Sequence, residues 1–224
     1  MGLGSVALAM TKEAKPIEDF QKWKEHFLGY NGPIDKRILP AIGFAETQGK
    51  RPTMEDAATT WMTTAGDIAF FALFDGHGGN GVAQYCARKS LPQPSEKLFS
   101  FSFVDRVCMA YQEAVSRDVF SLKRLLKRTY KDFDNDLRDM KGLSGGTTAV
   151  TALWDFTRQQ LLVANLGDSR ALLFDKDGTF MFATQDHKPS VSQEKKRIEK
   201  AGGVVAHGRL QTLTHSYAVS RSCG

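Results

Sequence analysis

The chain has 224 residues, 42% of them hydrophobic and 25% charged, with a formal net charge of +5. That is enough for one domain with a substantial core, and the modest, dispersed basic excess suits an acidic or phosphorylated partner without demanding nucleic acid. No apolar run approaches the roughly 18 residues of a membrane helix, and no phosphate loop of the Gly-x-x-x-x-Gly-Lys-[Ser/Thr] kind points to an ATPase.

Residues 1–15 read as a mobile terminus, with Val6 where a myristoylation motif wants Ser or Thr. Pro16 then opens an amphipathic helix in which Phe20, Trp23 and Phe27 recur at helical spacing, and Gly29 to Pro33 stop it. Residues 1–38 are thus expected to form an N-terminal extension carrying one helix, and residues 39–224 the main domain. Cys86, Cys108 and Cys223 form an odd, widely spaced set with no Cys-x-x-Cys pair. They read as free thiols in a reducing cytoplasmic or nuclear compartment, not as a zinc site or a secreted disulfide framework.

Ile42–Thr47 reads as a short strand, followed by the polar loop from Gln48 to Asp56, which ends in two acids. Ala57–Thr64 and Ile68–Phe74 are the next strands, the second a run of seven apolar residues rich in aromatics and so expected to be buried on both faces. A turn at Gly66 makes the two an antiparallel hairpin in which paired numbers sum to about 132. Asp75 then lies across from Ala57, with Asp56 and Glu55 just beyond it, so acids from both strands meet at one end of the sheet. Asp75 is followed by Gly76-His77-Gly78-Gly79, which sets an imidazole beside a carboxylate on freely bending backbone.

Gly79–Lys89 reads as a helix with Val82, Ala83, Cys86 and Ala87 inward. Residues 95–141 contain neither Gly nor Pro and carry two helical stripes, Phe103-Val107-Tyr111-Ala114 and Leu122-Leu126-Phe133-Leu137. Asp132-Phe133-Asp134-Asn135-Asp136 resembles the start of a calcium loop. It fails because Leu137 stands where that loop needs Gly and Leu143 where it needs Glu. The basic run Lys123, Arg124, Lys127, Arg128 and Lys131 reads as a solvated helix face. Four strands follow, over Thr147–Trp154, Gln160–Leu166, Ala171–Phe174 and Thr179–Ala183, with Asp168 in the link Gly167–Arg170. Ser192 is expected to cap a helix through Ala201, with Gln193 to Arg197 on its polar side and Ile198 inward, and Tyr217–Arg221 is the last strand-like piece.

Glu55, Asp56, Asp75 and Asp168 are therefore acids at strand ends, with no Cys and one His nearby. Such oxygen donors suit Mg²⁺ or Mn²⁺ better than zinc, and crowding them without a cation raises their pKa values. Arg51, in the same loop as Glu55, offers a planar fork for a phosphate. Together they suggest hydrolysis of a phosphoester: a water bridging two metals attacks phosphorus in line, and His77, with an ordinary pKa of about 6.5, protonates the leaving alkoxide.

Gly49-Lys50-Arg51-Pro52-Thr53-Met54-Glu55-Asp56, Phe74-Asp75-Gly76-His77-Gly78-Gly79, Ser144-Gly145-Gly146-Thr147-Thr148-Ala149, Asn165-Leu166-Gly167-Asp168-Ser169-Arg170, Asp186-His187-Lys188-Pro189, Glu194 to Gly203 and Ala218-Val219-Ser220-Arg221 occur in this order. From about Gly43 to Gly224 the chain thereby resembles the metal-dependent protein phosphatases of type 2C. The resemblance implies an α+β fold, an antiparallel β-sandwich flanked by helix pairs on both faces in four layers. It implies hydrolysis of phosphoserine and phosphothreonine in proteins by a monomeric enzyme. Asp75 would bridge two Mn²⁺ or Mg²⁺ ions, Glu55 and the Gly76 carbonyl would serve one of them, and Asp56 would hydrogen-bond metal-bound water. Arg51 would bind phosphate, His77 would be the general acid, and Asp168 would ligate a weaker third ion.

In the family an Asp and further strands follow Ala-Val-Ser-Arg-x-x-Gly and bring the second ion's remaining ligands. This sequence stops at Gly224, so the expectation is a domain lacking its C-terminal strands and a two-metal site left incomplete. Gly208–Ser216 also departs from the family's shorter turn near the substrate flap. A catalytically inactive short form or pseudophosphatase acting as a binding module is the competing reading; the retained Arg51, Glu55, Asp75 and His77 argue against it. A metal-dependent nuclease is disfavoured because the basic residues lack interleaved aromatics.

Overall fold

The structure is a computed structural model that describes residues 5–11, 41–62, 68–88, 103–116, 122–140, 142–175 and 177–224. The expected helix over 17–28, the 38/39 boundary and the Gly66 turn lie outside the described residues.

A four-stranded antiparallel sheet is built from β3 (Ala57–Met62), β4 (Ile68–Phe74), β7 (Ala149–Asp155) and β8 (Gln160–Leu166), in the order β3-β4-β7-β8. β4 is internal to this sheet and almost wholly buried, which explains its unbroken apolar run. Its register with β3 pairs Ala57 with Phe74 and Met62 with Ala69. Paired numbers thus sum to 131, one less than expected, so Asp75 follows on opposite Asp56 instead of Ala57. The one-residue difference leaves the acids at the same end of the sheet.

Alternate residues of β4 serve different faces. Ile68, Phe70, Ala72 and Phe74 join one core cluster with Val82, Ala83 and Cys86 of α1 (Gly81–Ala87), Phe103, Val107 and Tyr111 of α2 (Phe103–Ser116), and Phe133 and Leu137 of α3 (Leu122–Asp139). Phe103 is the hub. Its ring meets Phe74 edge-on at 5.7 Å, Tyr130 at 4.7 Å and Phe133 at 5.1 Å. Each fully buried Phe contributes about 2–3 kcal/mol through the apolar surface it removes from water. Phe103, Val107 and Tyr111 of the first expected stripe and Leu126, Phe133 and Leu137 of the second therefore pack in or against this core, while Arg124, Lys127, Arg128 and Lys131 are exposed.

Shorter pieces surround the sheet. β5 (Gly76–His77) pairs with β6 (Gly146–Thr147), and Thr147 also exchanges two 2.9 Å backbone hydrogen bonds with Cys223. β9 (Leu172–Phe174) and β10 (Phe180–Ala183) form a hairpin closed by Asp175, whose Oδ1 accepts from the N–H groups of Asp177 and Thr179. Leu172, Phe174, Phe180, Met181 and Phe182 on that hairpin are all exposed. β11 (Val204–Ala206), β12 (Arg209–Gln211) and β13 (Ser216–Tyr217) make a three-stranded sheet, so strand pairing occupies the segment that departs from the family's turn.

Three expectations change. Residues 5–11, placed in a mobile terminus, form β1 (Ser5–Thr11) and pair with β2 (Ala41–Thr47); seven extended residues found a partner strand that local composition does not announce. Ser192 begins α4 (Ser192–Lys200) but makes no cap, since Val191 occupies the N-cap without a side-chain hydrogen bond. Glu194, expected on the polar side, is buried. It accepts from Arg197, Arg221 and the Ser220 hydroxyl, and these bonds lower its pKa, Arg221 most of all. The described residues form a mixed helix and antiparallel-sheet, α+β architecture.

Candidate active site

β4 ends at Phe74 and delivers Asp75, which is anchored at once. The Asp75 N–H donates to Thr148 Oγ1 at 3.2 Å, and the Thr148 N–H donates to the Asp75 carbonyl at 2.9 Å. The same Thr148 hydroxyl lies 2.5 Å from Ser169 Oγ, next to Asp168. One buried hydroxyl thus ties the backbone at the strand-end acid to Ser169 in the loop that carries Asp168. Gly167 makes the closeness possible: it has φ +104°, and a Cβ there would fall 2.5 Å from Thr148 Cγ2.

The loop before β3 is fixed from the other side. Glu55 Oε1 accepts from the Gly79 N–H at 2.9 Å, and a Cβ on Gly76 would sit 2.3 Å from the Glu55 carbonyl oxygen. Gly76 is therefore required by close backbone approach, and it locks the Glu55 segment against β5. His77, half-buried, packs over Gly146, where a Cβ would come within 2.8 Å of its Nε2, and it meets the Tyr217 ring edge-on at 6.0 Å.

Electrostatics gathers the remaining groups. Partial loss of water, then the charges of Asp56 and Asp168, push the Asp75 carboxyl up to about 6, although the residue is exposed at the mouth; Arg51 pulls the other way. Asp56 hydrogen-bonds Asp75, and burial raises its pKa as well. Two carboxyls that share a site cannot both ionise freely. Burial lowers the His77 pKa, opposed by Glu55 and Asp168, so its neutral imidazole is favoured near pH 7.

Arg51, Glu55, Asp56, Asp75, Gly76, His77 and Asp168 are thus all placed at or beside one end of the central sheet. One oxygen of Glu55 is taken by the Gly79 N–H. The donor set is oxygen-rich and its paired carboxyls are short of positive charge, which fits a hard divalent cation. It fits as an open site and not as a cage: among the described residues, no three His, Cys, Asp or Glu side chains converge closely enough to hold an ion between them.

Four participants were not singled out from sequence. Thr148 and Ser169 form the joint just described. His187 closes the loop behind Asp168: its Nδ1 accepts from the Gly167 N–H at 3.1 Å, and its own N–H donates to the Gly167 carbonyl at 2.8 Å. Lys188 lies 3.7 Å from Asp168 Oδ2 and 3.4 Å from Asp186 Oδ2. The motifs Ser144–Ala149 and Asp186–Pro189 pointed to their neighbourhood but not to these roles.

No described helix is long and apolar enough to cross a membrane. The family model for Protein phosphatase 2C matches residues 41–224. The chain is 36% identical over 182 residues to "Probable protein phosphatase 2C 5" of Paramecium tetraurelia, covering 79% of this chain and 57% of that protein. It is 33% identical to "Protein phosphatase 1L" of Bos taurus, covering 79% of this chain and 47% of that one. The chain therefore spans about half the length of these curated relatives. Among solved structures, a C. elegans sex-determining protein superposes with a TM-score of 0.58 at 27% identity, covering 80% of this chain and 42% of that one. Serine-threonine phosphatase 2C from Toxoplasma gondii shares the fold with a TM-score of 0.52 at 24% identity, covering 78% and 64% of the two chains. The sheet that ends in Asp75 and the ordered motifs around it are those of a known lineage: this chain belongs to the protein phosphatase 2C family.

Proposed function

We propose that the chain carries the site for hydrolysis of phosphoserine and phosphothreonine in protein substrates, dependent on Mn²⁺ or Mg²⁺. The observation that carries this reading is the state of Asp75: an exposed carboxyl pushed up to about 6 by lost hydration and by Asp56 and Asp168, with Arg51 beside it. Such a site gains from positive charge, whether from a cation or from protons.

Asp75, Glu55 and the Gly76 carbonyl would hold one principal ion, Asp75 would reach a second, Asp168 would ligate a weaker third, and Asp56 would support them through hydrogen bonding. When bound, such cations supply Lewis acidity toward phosphoryl oxygen and a water acidic enough to attack phosphorus near neutral pH. Arg51 is exposed at the mouth and orients the phosphate with its fork. His77 donates a proton to the departing serine or threonine oxygen. Because burial favours the neutral ring, that proton must be taken up from solvent in each cycle, and the Glu55 and Asp168 charges help to hold it. The substrates are phosphorylated proteins, and the chain acts on them as a monomer.

The test is phosphate release from a phosphothreonine peptide by this chain, with and without Mn²⁺, beside Asp75→Asn. Mn²⁺-dependent release that falls at least ~1,000-fold in the variant is the expected result. Release that ignores Mn²⁺, or that survives Asp75→Asn, overturns the reading.

A further inference from the structure

We propose that Lys188 is a built-in counter-ion of Asp168, which a divalent cation must displace before Asp168 can ligate it. The inference rests on the reading of Asp168 as a cation ligand.

The Lys188 ammonium stands between two acids, 3.7 Å from Asp168 Oδ2 and 3.4 Å from Asp186 Oδ2. Both separations exceed the roughly 2.7–2.9 Å of a direct charge-assisted hydrogen bond. Lys188 is therefore shared by the pair, lying nearer Asp186, whose charge it also helps to hold. The two acids differ in their need for it. Asp186 already receives both prongs of Arg170, at 2.9 and 2.8 Å. Among the described residues Lys188 is the one cation paired with Asp168.

Backbone geometry keeps this arrangement in register. The Gly167 N–H and carbonyl are both bound by His187, the residue before Lys188. Asn165 Nδ2 donates to the Gln185 carbonyl at 2.9 Å, and the Thr184 N–H donates to the Ala171 carbonyl at 3.0 Å. The base of Lys188 is thus fixed opposite Asp168, while its side chain is 46% exposed and free to swing into water. Asp168 also faces the site, since its charge is felt by both Asp75 and His77. An ammonium on that carboxylate and a divalent ion on the same oxygens exclude one another by repulsion and by space. The lysine therefore sets how readily the Asp168 position takes up a cation, and makes it the weaker position.

The test is Mn²⁺ titration of the full chain, reading free Mn²⁺ by its electron paramagnetic resonance signal, so that no turnover is needed. Lys188→Met should tighten one Mn²⁺ by roughly tenfold, the equivalent of about 1.4 kcal/mol. Lys188→Arg keeps the charge and should match the parent chain. Lys188→Met combined with Asp168→Asn should lose the gain. Thermal melts of each variant check folding. The inference is overturned if Lys188→Met binds no more tightly, or if its gain persists without the Asp168 carboxylate. The Asp75→Asn arm separates it from the functional reading. Mn²⁺ lost with Asp75 but indifferent to Lys188 sinks only the lysine inference. An Asp168-dependent gain in a chain whose binding ignores Asp75 supports the lysine inference and sinks the assignment of Asp75. Absence of Mn²⁺ binding in every chain overturns both.

Discussion

The central strand β4 has an acid near each end, and the two are opposites. Asp155 pairs across the sheet with Ile68, where β4 begins; Asp75 follows Phe74, where β4 stops. Asp155 is 1% exposed and fully partnered: it accepts from the Tyr111 hydroxyl, the Arg158 N–H at 2.8 Å and the Arg158 guanidinium at 3.0 Å. Burial works against its charge, but these donors outweigh it and its pKa is lowered. Asp75 is exposed, yet its nearest titrating neighbours are further acids and its pKa is raised. Depth alone therefore does not decide what a carboxylate is for. Donors around the charge make Asp155 a structural group, and acids around it leave the Asp75 charge uncompensated, as the proposed cation site requires.

Exchanging the two acids for amides should break the contrast in opposite directions. Asp75→Asn is expected to lose at least ~1,000-fold in Mn²⁺-dependent phosphate release while melting no lower than the parent chain, because it removes a repulsion. Asp155→Asn should cost about 2–3 kcal/mol in denaturant unfolding, as buried donors lose an ionised acceptor, with the rate per folded molecule unchanged. Equal destabilisation by both would show that the ends of β4 are equivalent after all.

The pH dependence of metal-free stability sharpens the comparison. Asp155 and Glu194 have folded pKa values below their ordinary 3.8 and 4.5, so the stability they give is present above those values and lost as pH falls. Asp75 has the reverse sign. Its folded pKa of about 6 lies above 3.8, so its contribution is full below 3.8 and lost as pH rises through 6. Melting curves in chelator should show Glu194→Gln flattening the acid limb and Asp75→Asn removing a decline between about pH 4 and 6. A decline that persists in Asp75→Asn would assign it to another group. The smallest effect is expected at the joint. Thr148→Val removes the hydroxyl shared by Asp75 and Ser169 and should cost about 1 kcal/mol in stability and roughly tenfold in rate.

Much of this was legible in the residues. Seven consecutive apolar positions stopped by Asp75 announced a buried strand, and hairpin symmetry brought Glu55 and Asp56 to its end with an error of one residue. The error entered with the assumption that pairing is centred on Gly66, because local sequence does not fix strand register to one residue. The helices at Phe103 and Leu122 followed from periodicity. What escaped depends on partners distant in sequence. β1 is a strand because β2 pairs with it. Glu194 is buried because Arg221, 27 residues away, comes to meet it, and Asp155 is structural because Tyr111 does the same from 44 residues away. Thr148 looked like a strand residue beside a glycine turn, and nothing local shows that its hydroxyl lies between the Asp75 N–H and the Ser169 hydroxyl. Six large apolar side chains on the β9–β10 hairpin are exposed, although their sequence reads as ordinary strand.

Thr148 has one more consequence. Because its single hydroxyl joins the Asp75 N–H to the hydroxyl of Ser169, the segments that carry Asp75 and Asp168 are tied together before any ligand arrives. An incoming cation or phosphate need not gather loops from a wider ensemble, so the entropic cost of association falls mainly on the ligand and its water. Selectivity among ions then rests on whether their radius suits a spacing already set, and softening the joint should blur discrimination between large and small divalent ions before it abolishes binding.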